Sequence, residues 1–115
     1  MKYLSFFLPA AGNAGPPSQE MMDNMGKLIG EMMASGELVM TLPLKKREEG
    51  LVVTKKGGKL DVGSANHVEW MRAGGFAILE ARDREHLIEE TKRFLDVAGD
   101  GSCEILACPD MGPPQ

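Results

Sequence analysis

A chain of 115 residues, 43% hydrophobic and 26% charged, fits one soluble globular domain, large enough to bury a core without metal or disulfide support. Its formal net charge of -4 gives no general attraction to nucleic acid or to anionic membrane, so neither is expected as a partner. The basic run Lys45-Lys46-Arg47 is followed at once by Glu48-Glu49 and reads as a solvated strand end.

Residues 1–8 are apolar but carry Lys2, are too short to span a bilayer and stop at Pro9, so they read as a first strand and not as a signal peptide; a cytoplasmic location is the expectation. Residues 10–17, with Gly12, Asn13, Gly15, Pro16 and Pro17, read as a loop. Ser18 is placed to cap a helix in which Met21, Met22, Met25, Leu28, Ile29, Met32 and Met33 fall along one side, and Gly36 ends it. This methionine stripe is expected as core against a sheet, the other reading being an adaptable ligand groove. Gly26 and Gly30 weaken the helix and suggest close approach of another backbone.

Residues 37–46 form a second strand in which Pro43 marks an edge or a bend. Two β-rich runs, 51–55 and 59–62, flank Lys56-Gly57-Gly58 and predict a hairpin. The irregular stretch 63–73 precedes a strand over 75–82, in which Phe76 and Ile78 point one way and Ala77, Leu79 and Ala81 the other. Asp83 fits an N-cap for a helix over 84–98 with Leu87, Ile88, Thr91, Phe94, Leu95 and Ala98 on one face, and Gly99 is the stop. A last strand over 102–107 carries Cys103, which with Cys108 is expected as a packing thiol: residues five apart lie on opposite faces of a strand and cannot bond. A loosely held tail follows at 109–115.

With the hairpin set aside, the order strand, helix, strand, strand, helix, strand predicts an α+β ferredoxin-like sandwich in a single domain over 1–115. Its antiparallel sheet carries two helices on one face, and the β-hairpin is an insertion. The other sheet face, with Leu38, Met40 and Leu42 or their neighbours, is left bare, and self-association through the sheet across a two-fold axis would cover it.

The opening Met1-Lys2-Tyr3-Leu4, Ser35-Gly36-Glu37-Leu38 at the first helix end, Gly74-Gly75-Phe76-Ala77-Ile78-Leu79-Glu80 and Ala98-Gly99-Asp100-Gly101-Ser102-Cys103-Glu104-Ile105 resemble the YCII-related family, in particular its DGPF branch, over nearly the whole chain. The resemblance implies a dimeric ferredoxin-like α+β fold with clefts between sheet, hairpin and partner. Where that branch has Asp-Gly-Pro-Phe, this chain has Asp61-Val62-Gly63-Ser64-Ala65, and the first helix lacks the histidine suggested for YCII relatives.

The two histidines are His67 and His86. His86, in the first turn of the second helix and off its apolar face, reads as a surface residue. His67 lies with Glu69, Trp70 and Arg72, so a candidate site takes His67 as general base oriented by Asp61, Arg72 and Glu69 as polar contacts for a small organic or anionic ligand, and Trp70 as an apolar wall. The plainer readings are a turn role for Asp61 and a tryptophan plugging a core edge. No metal-ligand spacing and no cofactor motif is present, and Gly74-Gly75 lacks the helix start that a phosphate loop needs. Three functions stay open: a small-ligand binder with its site near 61–72, an isomerase-, lyase- or dehalogenase-type enzyme by fold analogy, and a structural or regulatory partner-binding protein.

Overall fold

The computed structural model describes residues 1–13 and 15–110, so most of the expected tail, from residue 111 on, lies outside the described residues. The elements are β1 (Lys2–Pro9), α1 (Gln19–Ser35), β2 (Leu38–Pro43), β3 (Leu51–Lys56), β4 (Lys59–Ser64), β5 (Gly75–Glu80), α2 (Arg84–Ala98) and β6 (Gly101–Ala107). The main sheet runs β2-β5-β1-β6 and is antiparallel throughout, with both helices on one face: the ferredoxin-like α+β arrangement. Among the described residues, no helix is long and apolar enough to cross a membrane.

Local chemistry sets the element ends. Ser18 Oγ accepts from the Met21 amide at 3.1 Å and Asp83 Oδ1 from the His86 amide at 2.8 Å, each satisfying a free donor of a first helical turn. Gly36, with φ of 83°, closes α1 in the left-handed region. Gly57 and Gly58, with φ of 57° and 80°, form the two-residue turn between β3 and β4, whose positive dihedrals match the twist of a hairpin. Inside the loop after β1, Ala11–Asn13 forms one short 3-10 turn.

The inner sheet face meets the helices through Tyr3, Ala77 and Ile105, around a core of Leu28, Met32, Leu38, Leu79, Ala81 and Leu87. A bulge divides the apolar pattern of β2. Leu38 opposes Leu79 and so faces the core, but the register then slips, and Met40 opposes Ile78 on the outer face. Of the bare-face residues expected from sequence, Leu38 is therefore buried, whereas Met40 and Leu42 are exposed, as is Leu106.

Residues 65–73 cover one end of the outer face. Trp70, in the turn Glu69–Arg72, lies 5.1 Å from the ring of Phe6, and Leu8, Ala65 and Ala73 are buried. Arg72 donates to the Pro9 carbonyl at 2.9 Å and the Gly74 amide to Phe7 at 2.8 Å, which fastens this segment to β1. The hairpin stands apart as a second sheet, and of its residues only Val52 is partly buried.

Candidate functional site

A cavity of about 830 Å³ lies between the helices and the inner sheet face. Met21, Met25 and Ile29 of α1 and Phe94 of α2 line it against Phe7 and Ala77 of the sheet. The strands present small side chains there, Ser5 and Ala77, while α1 presents flexible thioethers, so the layers meet without filling the space between them. Exposed Pro16, Pro17 and Pro43 line its outer end. The size and the mostly apolar wall are those of a small-molecule site.

The methionine stripe is thus shared between core and cavity. Leu28 and Met32 are buried, Met21, Met25 and Ile29 are partly buried along the cavity, and Met22 and Met33 are exposed. The expectation of plain core fails for the N-terminal half of α1, where the small Ser5 and Ala77 of the sheet leave space beneath the methionines. Nor does another backbone approach Gly26 or Gly30, beside which 4 Å of space is free of neighbours.

Among the residues lining this cavity Glu90 is the charged one, and its carboxyl is 1% exposed with neither oxygen accepting a well-directed hydrogen bond. Its nearest polar neighbour is His86, one helical turn earlier, whose Nε2 lies 3.0 Å from Glu90 Oε1 and 2.9 Å from Glu37 Oε2. The other ring nitrogen is already engaged: Nδ1 accepts the Arg82 amide at 3.0 Å. Asp83 and His86 therefore form a reciprocal cap in which each satisfies a backbone donor for the helix start. Because Nδ1 is an acceptor, the ring hydrogen sits on Nε2, between two carboxylates.

Those two carboxyls are pushed in opposite directions. The Ser35 hydroxyl, 2.7 Å from Oε1, and then the His86 bond hold Glu37 below its ordinary carboxyl value, against a smaller effect of burial. Burial, and the charge of Glu37, raise Glu90 above it, partly offset by His86 and by Arg93. Glu37, His86, Ser35 and Arg82 also line a second cavity of about 410 Å³ at the other end of the trio. The three side chains thus reach from the apolar cavity, at Glu90, to that second cavity, at Glu37.

Ligand-type atoms of Glu37, His86 and Glu90 all lie within 4.8 Å of one another, close enough for a metal ion. The tautomer argues against one. A metal on Nε2 of a neutral imidazole requires a hydrogen on Nδ1, which here faces the Arg82 N–H, donor against donor.

The residues singled out from sequence lie elsewhere. His67 and Asp61 are exposed, Asp61 opposing Thr54 in the hairpin, and neither lines either cavity. Glu69 pairs with Arg72 at 3.0 Å and with Arg47 at 3.7 Å, and Trp70 packs on Phe6, so these three stand together on the outer face. Arg47, expected in a solvated run, also donates to the Val68 carbonyl at 3.4 Å. The surface reading of His86 is corrected: its side chain is 15% exposed. Its bond to Glu37 joins residues 49 positions apart, which no local pattern announces. Glu90 did carry a signal, since it stands among Leu87, Thr91 and Phe94 on an apolar helix face. Cys103, a free thiol, lines the cavity, and burial raises it above its ordinary value, so it stays protonated there.

No family model matches the chain, and no curated protein matches it.

Proposed function

We propose that the protein binds a small, neutral, largely apolar organic molecule in the cavity between helices and sheet. The observation that carries this reading is a cavity of about 830 Å³ whose wall is methionine, phenylalanine and aliphatic side chains, with one buried carboxyl group as its charged member. An anionic ligand is disfavoured in this place, because among the described residues no lysine or arginine lines it to offset Glu90.

The reading is tested with 2-naphthol, a neutral fluorescent probe, followed by thermal shift and by its own emission. Met25→Trp adds volume in the middle of the cavity wall and should weaken binding by about tenfold or more, some 1.4 kcal/mol. Trp70 emission should not respond, because that ring lies on the outer sheet face with Phe6. A strong Trp70 response that is lost in His67→Ala would instead place the ligand at 61–72.

Membership of the YCII-related family is part of the same proposal, supported by the strand order β2-β5-β1-β6 and the hairpin inserted between β2 and β5. So is a cytoplasmic location, with which the free thiols Cys103 and Cys108 agree.

We further infer a homodimer. Leu51, Val53, Leu60 and Val62 lie on one face of a hairpin that is exposed almost throughout, and Met40, Leu42 and Leu106 are exposed on the outer sheet face. A two-stranded hairpin on its own is marginal in water, and a second copy would supply the apolar cover that both surfaces lack.

A further inference from the structure

The two exposed apolar surfaces of this chain match each other row for row. Strand register sets two rows across the outer sheet face. Met40, Ile78, Leu4 and Leu106 stand side by side on β2, β5, β1 and β6, and in the next row Leu42, Phe76 and Phe6 are followed on β6 by Glu104. Trp70, packed on Phe6, borders the second row and leaves both open.

The hairpin has the same plan. On one face β3 presents Leu51, Val53 and Lys55, and β4 presents Ser64, Val62 and Leu60 opposite them. Its other face carries Val52 at the base and is polar beyond it, with Thr54, Lys56, Lys59 and Asp61, so one side alone is suited to burial.

Length and charge agree as well. From Leu51 to Lys55 is about 13 Å along a strand, and from β2 to β6 is about 14 Å across three strand spacings. Each surface ends one of its rows in a charge, Lys55 on the hairpin and Glu104 on the sheet, both exposed. The two are of opposite sign, and neither belongs to an ion pair among the described residues. Let a hairpin lie face down across the four strands at near right angles, with its Gly57-Gly58 turn over β6. Strand chirality then puts β3 on the Leu42 row and β4 on the Met40 row. Leu60 thereby reaches Leu106, and Lys55 reaches Glu104.

We infer that the hairpin of one chain docks crosswise on the outer sheet face of a second copy, which returns the same contact, so that Lys55 of each chain pairs with the partner's Glu104. This rests on the homodimer reading above and adds which surface meets which. Within one chain the hairpin forms a separate sheet, exposed almost throughout, so its apolar face is free for the partner. A two-fold axis repeats the contact and closes the assembly at two copies.

The test measures the dimer dissociation constant of the full chain by sedimentation over a dilution series. Lys55→Glu and Glu104→Lys each bring like charges together at both copies of the contact and should weaken the dimer about tenfold. Both positions are exposed, so each variant should still melt cooperatively. In the mixed dimer one contact is the native pair and the other has both charges reversed, so an equimolar mixture of the two variants should return to within about threefold of wild type. A monomeric wild type overturns both this inference and the homodimer. A dimer indifferent to either reversal, or weakened variants that do not recover on mixing, overturns the crosswise contact and leaves the dimer standing. A mixture tighter than wild type, with neither variant weakened alone, replaces it with like surfaces meeting, hairpin on hairpin or sheet on sheet.

Discussion

Glu90 is a carboxyl buried without a well-directed hydrogen bond, and its effect on stability has a definite sign. Its folded value is raised by burial, so between the unfolded and folded values the unfolded chain has released a proton that the native protein still holds. Stability from this group is therefore complete below the unfolded value and falls as pH rises through the folded one. Glu37, with its lowered folded value, acts in reverse: its contribution is present above the unfolded value and is lost as pH falls. Glu90→Gln removes the first effect and leaves the second. The variant should be more stable than wild type at pH 8, by about 1–3 kcal/mol. At pH 4 the gain should shrink toward zero, with urea unfolding at both pH values as the measurement. A gain equal at both would show that Glu90 does not titrate differently in the folded protein. At this scale the sequence was legible in part. Asp83 declared itself as a cap, but His86 looked exposed because its partner Glu37 arrives from a distant turn, and Glu90 was passed over although it interrupts an apolar face.

Elements were more legible, because caps and periodicity are written locally. Both helices, their caps at Ser18 and Asp83, the Gly57-Gly58 hairpin and the four-strand arrangement follow from patterns within a few residues. The bulge after Leu38 does not, because a register slip is decided by the partner strand and leaves the alternation of apolar residues intact in sequence. Nor does the space beneath α1. A stripe of methionines looks the same over a filled core as over a cavity, and only the small Ser5 and Ala77 opposite it decide the outcome. A further element-scale constraint sits at Gly101, where β6 begins opposite Pro9. A Cβ built there would lie 2.6 Å from the Leu8 carbonyl oxygen and 2.7 Å from the Phe7 ring. The carbonyl belongs to a strand held on both sides, so it has little freedom to withdraw. Gly101→Ala should cost about 1–3 kcal/mol through overpacking, read as a lowered urea midpoint with unchanged slope. Gly26→Ala, with open space beside it in mid-helix, should instead leave stability unchanged or raise it by up to about 1 kcal/mol.

For the molecule as a whole, the expected two-fold association rested on a bare sheet face, and the structure adds the hairpin to it. The Cα radius of gyration is 16.3 Å, against about 13 Å for a compact domain near this size. The excess agrees with a hairpin whose strands have almost no buried side chain. Val53 and Val62 are directly opposed on its apolar face, with Leu51 and Leu60 beside them, so two charges placed there would meet any partner at the centre of the patch. The substitutions lie outside the core of Leu28, Met32, Leu38, Leu79, Ala81 and Leu87, so they should not unfold the domain. Wild type should scatter light as a dimer at micromolar concentration. The double variant Val53→Lys, Val62→Lys should scatter as a monomer that still melts cooperatively, with a fall in melting temperature that grows with wild-type concentration, as mass action requires. A monomeric wild type would remove the dimer altogether. A variant that stays dimeric would move the contact from the hairpin to Met40, Leu42 and Leu106, which Leu106→Lys would then have to break.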